Sequence, residues 1–344
     1  MVTKAEWLER RLPPVIEKEL SQELECYGAK KLIARALRFP ETLPSTATWE
    51  HGWQWEPITH VQQVAGNAES ESCRLVTTEA HAEFLRLHGY VNVHAVGIPF
   101  IYAPVPNVER KARSLLIMPP HSLAWTNHSW NEREYVRYVA SIRDRFSEVV
   151  ACISGACIDH GYWAAAFEEA GIPWIRGASA ADQNGLKRMQ IIFRSFEYMS
   201  TNSMGSHVAY AAYCGCRVSI AGPYMCPLKE HYKKDPLYNK YPEVLVANLE
   251  KNDKANVRRH YPHLFCSPEK AGMHVEWAQH VLGAAFKRED REIARLFGWP
   301  ENLRQYVRYK ARYIVRKPGW PRSVAAVMFR ILRTIRGRGT HECG

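Results

Sequence analysis

The stretch Thr201–Gly215, with the sequence TNSMGSHVAYAAYCG, has the composition of a phosphate-binding turn. Its small polar residues and glycine predict a turn followed by a short helix over His207–Cys214, which Gly215 ends. The first amides of a helix have no partner within the helix and bind anions. The candidate anion-binding residues here are Asn202, Ser203, Gly205, Ser206 and His207. The same residue types also suit an ordinary helix cap and turn.

A histidine next to a carboxylate forms a second candidate site for chemistry. Glu50 and His51 lie in TATWEHGW, residues 46–53, where a predicted strand ends. Either side chain could take up a proton, because glutamate and histidine both serve as general bases. The alternative is that His51 is a surface histidine in an aromatic loop.

These candidates need a scaffold, and the pattern from residue 114 onward predicts a parallel sheet. Short apolar runs, typical of strands buried on both faces, alternate with helical patterns. The predicted strands are Ser114–Met118, Val149–Ser154, Ile172–Arg176, Glu197–Ser200 and Cys216–Ala221. The predicted helices include Tyr162–Ala170, Leu186–Phe196 and one that opens with a capping box of Ser129 and Glu132.

Polar and glycine residues follow each of these strands, and in a doubly wound sheet ligands bind at that edge. The loops are Pro119–Ser122, Gly155–His160, Gly177–Asp182, Thr201–His207 and Gly222–Pro223. His121 and Ser122 therefore join the candidate anion-binding residues. Arg176 and Lys187 are reserve cations near this edge, although an ordinary surface charge is the alternative for each.

A second, shorter α/β pattern precedes this sheet. Cys73–Val76 and Val91–Val96 predict strands, and Thr78 predicts the cap of a helix that runs to Leu87. Residues 104–106, Pro-Val-Pro, predict a stiff linker. The expected fold class is α/β, with two Rossmann-like domains that face each other across a cleft. The expected domains are residues 1–105, residues 106–299 and a basic amphipathic helical tail, residues 300–344.

Basic charge is concentrated at the C-terminal end. Residues 300–344 contribute +9 of the formal net charge of +11, from eleven Lys and Arg against two acidic residues. Apolar side chains between Val324 and Ile335 recur at helical spacing beside arginines, as in helices that bind anionic membranes. We expect residues 303–336 to contact an anionic membrane surface, with a helix packed on the protein's own core as the alternative. No nucleic-acid recognition motif is present, so nucleic acid is not an expected partner.

Composition disfavours several classes of protein. The spacings of the nine cysteines do not suit a metal site, and free thiols are typical of a reducing compartment. No apolar run of about 18 residues could span a bilayer, and the first residues do not read as a signal peptide. A cytoplasmic protein without a bound metal or other cofactor is therefore expected.

Four segments resemble bacterial GT-B glycosyltransferases of surface-polysaccharide synthesis, over roughly residues 40–225. They are TATWEHGW at 46–53, HGYVNVHAVGIPFIYAP at 88–104, LLIMPPHS at 115–122 and MSTNSMGSHVAYAAYCGCRVSIAGP at 199–223. The resemblance implies a nucleotide-sugar bound mainly by the C-terminal domain, without a tightly bound metal. The chain has no clean D-x-D carboxylate pair, which agrees with that implication.

The resemblance implies transfer of a sugar to an acceptor hydroxyl, with Glu50 or His51 as the base if the configuration inverts. His121, Ser122 and the polar residues of 202–207 would bind the nucleotide-sugar and stabilise charge on the leaving group. PPHS is similar to the short His-Pro and Ser-Ser motifs of CMP-sugar transferases, although the order here is Pro-His, so a CMP-linked donor is a candidate.

A lipid-linked glycan at the inner membrane, in lipopolysaccharide or capsule synthesis, is the acceptor that the resemblance implies. Two alternatives remain open at this stage. A sugar-nucleotide epimerase of the same architecture would use the same phosphate turn on a soluble substrate. A non-catalytic nucleotide-binding or scaffolding protein could keep the fold without the acid/base pair.

Overall fold

The computed structural model describes residues 5–121 and 130–315. Ser122, Ser129 and the part of the tail after residue 315 lie outside the described residues. The described chain divides into two compact units, residues 5–29 with 48–287 and residues 30–47 with 288–315. Both sheets belong to the first unit.

Two parallel sheets account for the strands of the described residues. The first sheet contains β1 (Thr48–Trp49), β2 (Arg74–Val76) and β3 (Val93–Ala95), in that order across the sheet. The second contains β4 (Lys111–Ile117), β5 (Glu148–Ile153), β6 (Trp174–Arg176), β7 (Phe196–Thr201) and β8 (Arg217–Ile220), in the order β6-β5-β4-β7-β8. The expected α/β class with parallel strands is therefore confirmed.

Helices connect and flank these strands. The α-helices of the described residues are α1 (Glu6–Glu9), α2 (Ala29–Ala36), α3 (Gln62–Ala65), α4 (Glu79–Leu87), α5 (Glu132–Ile142), α6 (Gly155–Asp159), α7 (Ala164–Glu169), α8 (Gly185–Ser195), α9 (Ser206–Tyr213), α10 (Pro236–Lys240), α11 (Pro242–Asn252), α12 (Lys254–His260), α13 (Val275–Val281), α14 (Asp290–Leu296) and α15 (Leu303–Val315). Short 3-10 helices include Glu23–Gly28 and Pro99–Tyr102.

The five strands predicted from residue 114 onward are all present, with ends that shift by a few residues. The chain runs outward from β4 through β5 to β6, and then returns to place β7 and β8 on the other side of β4. Strand order therefore reverses between β4 and β7. In doubly wound sheets, ligands bind beyond the carboxyl ends of the strands at such a reversal.

Apolar side chains from both the strands and the helices form the core on one face of this second sheet. Leu115 and Ile117 of β4 pack with Val139 of α5 and Phe167 of α7, and all four are nearly or fully buried. The apolar residues at helical spacing on α5 and the buried residues of β4 thus contribute to the same core.

The start of α5 differs from the prediction. Asn131, rather than Ser129, caps the helix, because its Oδ1 accepts a hydrogen bond from the Glu134 amide at 3.2 Å. Glu132 is the first helical residue, and its Oε2 accepts from the Trp163 amide at 2.8 Å. The predicted capping box is therefore wrong, because asparagine directly before the first turn is itself a strong N-cap.

The first sheet has its own core, in which Val76 of β2 and Leu85 of α4 are fully buried. Thr78 caps α4 as predicted, because its side chain accepts from the His81 amide at 3.3 Å. The segment after β3 is buried, and Phe100 within it is fully buried. The predicted boundary at residue 105 falls between β3 and β4, and it stays a prediction.

The second unit includes the described part of the basic tail. The ring of Tyr306 on α15 lies 4.7 Å from the ring of Phe39, and its hydroxyl donates to Glu41 at 3.3 Å. Lys310 forms an ion pair with the same glutamate. One face of α15 therefore packs on the protein itself.

Candidate functional site

The predicted phosphate turn connects β7 to α9. Gly205 is the N-cap residue of α9, and no side chain caps the helix there. Ser206 and His207 are the first helical residues, so their amides have no carbonyl partner within the helix. These amides can therefore bind an anionic group of a ligand.

Asn202 holds the turn in place from a fully buried position. Its side-chain Nδ2 donates to the backbone carbonyl of Pro223 at 2.8 Å, and its backbone carbonyl accepts from the Met225 amide at 2.8 Å. The amide of Ser203 donates to Thr201 Oγ1 at 3.4 Å. The two Asn202 contacts connect the turn after β7 to the loop after β8.

His207 packs directly against the glycine of the turn. A Cβ atom on Gly205 would lie 2.8 Å from His207 Nδ1, so the turn has no room for a larger residue unless the ring moves. His207 Nε2 lies 3.0 Å from Thr201 Oγ1. Burial lowers the pKa of His207 to about 3, and the nearby His121 acts in the same direction. His207 is therefore neutral at neutral pH and orders the turn rather than supplying positive charge.

His121 lies at the reversal of strand order. It follows β4, is exposed, and interacts electrostatically with both His51 and His207. Its neighbour Ser122 lies outside the described residues. The structure thus brings His121 to the same edge of the sheet as the start of α9.

Glu50 is buried in an ion pair. One of its carboxylate oxygens, Oε2, accepts from the Thr77 amide at 2.8 Å and lies 3.1 Å from His81 Nδ1. Burial alone would raise the pKa of Glu50, but His81 and the hydrogen bonds from His81 and Thr77 outweigh it, so the pKa is lowered. Burial likewise opposes protonation of His81, yet Glu50 raises its pKa.

His51 differs from its neighbour because its side chain is 41% exposed. Its Nδ1 lies 3.2 Å from Glu23 Oε1, and Glu23 also forms an ion pair with Arg74. Burial raises the pKa of Glu23, but Arg74 and His51 lower it by more, so that the net pKa is about 2. An ionised carboxylate only accepts hydrogen bonds, so Nδ1 carries a proton, and in the neutral imidazole the lone pair is on Nε2.

Direct contacts join the loop after β1 to α9. The Tyr210 hydroxyl donates to the His51 carbonyl at 3.1 Å, and Ser206 Oγ donates to the Trp53 carbonyl at 3.4 Å. Tyr210 also stacks on Phe100, with ring centroids 4.1 Å apart. The two candidate sites predicted from sequence, which are about 150 residues apart in the chain, therefore lie side by side.

Glu23, Arg74, His81 and Tyr210 belong to this site but were not predicted. Arg74 carried a usable signal, because a charged residue within an apolar strand needs a buried anionic partner. Glu23 carried none, since several other acidic residues surround it in the sequence. Arg176, a reserve phosphate ligand, instead forms ion pairs with Glu17 at 2.8 Å and Asp159 at 3.1 Å.

The described residues hold no group of three or more His, Cys, Asp or Glu side chains arranged to bind a metal ion. The eight cysteines between Cys26 and Cys266 are free. No helix within residues 5–121 and 130–315 is both long enough and apolar enough to cross a membrane.

Comparison with known proteins gives a weak result. No protein-family model matches the chain, and no curated protein matches it. It is similar to the pneumococcal O-GlcNAc transferase GtfA in complex with UDP and GlcNAc, with 12% identity and a TM-score of 0.32, over 72% of this chain and 50% of that one. It is also similar to a variant of S. aureus TarM in complex with fondaparinux, α-GlcNAc-glycerol and UDP, with 12% identity and a TM-score of 0.30, over 70% of this chain and 50% of that one.

The chain spans about half the length of each of these two structures. At such low TM-scores the similarity carries no functional conclusion. Any conclusion about activity has to come from the residues of the site.

Proposed function

We propose that this protein is a glycosyltransferase that moves a sugar from a nucleotide-sugar donor to the hydroxyl of a glycan acceptor. The contacts between α9 and the loop after β1 carry the proposal. They hold a helix start whose first amides suit a phosphate beside a histidine that can accept a proton. Sugar transfer needs both elements, because one binds the leaving group and the other accepts a proton.

The start of α9 is the proposed donor site. The amides of Ser206 and His207 would bind the phosphate of the donor, and Gly205 allows close approach. Negative charge grows on that phosphate as the bond to the sugar breaks, so the same amides stabilise the transition state. His121 lies at the same edge, and we assign it and Ser122 to donor binding. Asn202 and Ser203 hold the turn in shape.

His51 is the proposed base. If the transfer inverts configuration, the acceptor oxygen attacks the anomeric carbon, the bond from that carbon to the phosphate oxygen breaks, and the acceptor proton passes to His51 Nε2. Glu23 would act as a positioning residue, because it accepts from Nδ1 and stabilises the imidazolium that forms.

Glu50 was the other candidate base, and we now assign it a positioning role. Its bonds to Thr77 and His81 fix the backbone that carries His51. A buried carboxylate with a lowered pKa is a weak base, because it holds a proton poorly at neutral pH.

The sequence is the basis for the proposed donor, acceptor and membrane contact. We propose metal-independent transfer, with a CMP-linked sugar among the candidate donors and a lipid-linked glycan of bacterial cell-surface polysaccharide as the acceptor. Residues 303–336 would hold the protein on the cytoplasmic face of an anionic membrane. The exposed side chains of Leu303 and Tyr309 on α15 agree with that role.

A panel of nucleotide-sugars, incubated with the protein with and without a glycan acceptor, tests the proposed function. We expect nucleotide release that depends on the acceptor, for at least one donor. Conversion of the sugar without release of nucleotide would instead indicate an epimerase. Binding without any turnover across the panel would contradict an enzymatic role.

A further inference from the structure

A cavity lies beyond the carboxyl end of β8, separate from the start of α9. Its volume is about 310 Å³, and it is open to solvent. The residues that line it include Ile220, Gly222, Tyr138 of α5 and Phe265. A volume of this size falls at the lower end of the range for small-molecule sites, about 300–1,000 Å³.

Two cations of α12 line the cavity. Lys254 and Arg258 are four residues apart, so they lie on the same side of the helix. Neither forms an ion pair among the described residues. The guanidinium carbon of Arg258 lies 5.7 Å from the centre of the Phe265 ring, which holds this cation beside an aromatic face.

Two acidic residues that act electrostatically on lining residues of the cavity, Asp253 and Glu269, have other partners. Asp253 caps α12, because its Oδ1 accepts from the amides of Ala255 at 2.8 Å and Asn256 at 3.4 Å. Glu269 forms an ion pair with Arg145. The positive charge of Lys254 and Arg258 is therefore available to a ligand.

We propose that this cavity binds a sugar-sized ring that carries an anionic group, either a carboxylate or a phosphate. Lys254 and Arg258 would bind the anionic group, and the aromatic rings of Phe265 and Tyr138 would face the ring of the ligand. Charge-assisted hydrogen bonds from two cations supply affinity, and the aromatic walls select a ring-bearing anion over a bare ion. The proposal does not depend on the glycosyltransferase activity.

Cys266 provides a local readout, because it lines the same cavity and is half-buried. The rate at which iodoacetamide alkylates Cys266 is measured by mass spectrometry in the full chain. The ligands are D-glucuronate, D-glucose 6-phosphate and neutral D-glucose, at constant ionic strength. The half-buried Cys73, which directly precedes β2, is the internal control.

We expect the anionic sugars to protect Cys266. At a ligand concentration about ten times the dissociation constant, alkylation slows about tenfold, because only the free protein reacts. Alkylation of Cys73 stays unchanged. Whichever anion protects more strongly identifies the preferred group, and protection by either one supports the site.

The exposed side chains of Lys254 and Arg258 allow a charge-removal test without a change in the core. In a Lys254→Gln/Arg258→Gln variant, protection of Cys266 is lost. The Arg259→Gln variant, which removes an exposed charge from the same helix but not from the cavity, keeps it. Equal protection by D-glucose, protection that survives in the double variant, or no protection by either anion would overturn the proposal.

Discussion

His51 and Glu23 form the smallest unit of the proposed active site. The carboxylate holds one ring nitrogen, and the other nitrogen remains available to accept a proton. Arg74 keeps Glu23 ionised. The contact between Glu50 and His81 holds Glu50, the residue directly before His51, in place. In the proposed reaction, these contacts would act on the acceptor side rather than on the donor phosphate.

Replacement of His51 by alanine should therefore separate catalysis from donor binding. We expect turnover to fall by about 10²–10⁴-fold, the usual contribution of a general base, with nearly unchanged nucleotide affinity. Steady-state kinetics and calorimetry on the same preparation measure the two quantities. His94→Ala is the control, because His94 is a partly exposed histidine in β3 of the first sheet. Full turnover in His51→Ala would mean that another group is the base.

Glu23 links the site to the stability of the protein. Burial raises its pKa, but Arg74 and His51 lower it from 4.5 to about 2. A carboxylate whose pKa is lowered in the folded state stabilises the fold at pH values above its pKa in the unfolded state. That stabilisation disappears as the pH falls from 4.5 towards 2.

The Glu23→Gln variant cannot lose a charge in this pH range. Its free energy of unfolding should consequently depend less on pH than that of the parent, when urea unfolding is compared at about pH 6 and about pH 3. The exposed Glu83→Gln of α4 should behave like the parent. Identical pH dependence in the parent and Glu23→Gln would show that Glu23 is not held as an ionised partner.

At the scale of elements, the β7–α9 connection determines where a donor could bind. Gly205 is close to the ring of His207, which in turn contacts Thr201. A larger residue at position 205 must displace that ring and disturb the first amides of α9. The turn is therefore sensitive to a single added side chain.

Gly205→Val should weaken nucleotide binding by about 1–3 kcal/mol, the scale of lost charge-assisted hydrogen bonds. Calorimetry with the nucleotide of the best donor measures this change. Gly272→Val is the control, because its Cβ would also lie close to a histidine ring, 3.1 Å from that of His274, but outside the β7–α9 connection. Unchanged affinity in a folded Gly205→Val protein would remove the phosphate assignment.

Local patterns were sufficient to predict most of the second sheet. Its strands are short apolar runs between polar turns, and its helices show regular spacing, so each element is encoded by residues close together in sequence. The cap of α5 was misassigned because Ser129, Asn131 and Glu132 all suit helix starts.

Contacts between distant parts of the chain could not be predicted in the same way. Glu23 contacts Arg74 and His51 across 51 and 28 residues, and Tyr210 contacts His51 across 159. No periodicity encodes such a pairing, because it depends on how whole elements pack. The sequence therefore provided His51 and the turn at 202–207 as candidates, and both stay predictions, but it did not indicate the residues that contact them.

In the whole molecule, the basic C-terminal region, residues 300–344, contributes no residue to the proposed active site. Its described portion, α15, packs Tyr306 on Phe39 within the second unit. Deletion of residues 322–344 leaves α15 and these contacts in place. We therefore expect the truncated protein to fold and to bind nucleotide.

Binding of the truncated protein to anionic vesicles should fall sharply. In the intact protein, that binding should weaken as salt rises, because the Debye length shrinks from about 10 Å at 0.1 M to about 3 Å at 1 M. Vesicle sedimentation with anionic and neutral lipids measures both effects. Equal sedimentation of the intact and truncated proteins, or unfolding of the truncated one, would exclude a membrane role for the deleted residues.

In the proposed reaction, one donor sugar passes to one acceptor hydroxyl. A mass balance tests it most directly: the donor identified in the panel and a glycan acceptor are incubated with the protein, and nucleotide, free sugar and acceptor product are quantified together. We expect the acceptor to gain the mass of one sugar for each nucleotide released, and the product to disappear in His51→Ala. Nucleotide release without a heavier acceptor, or an epimerised donor with no release, would contradict it.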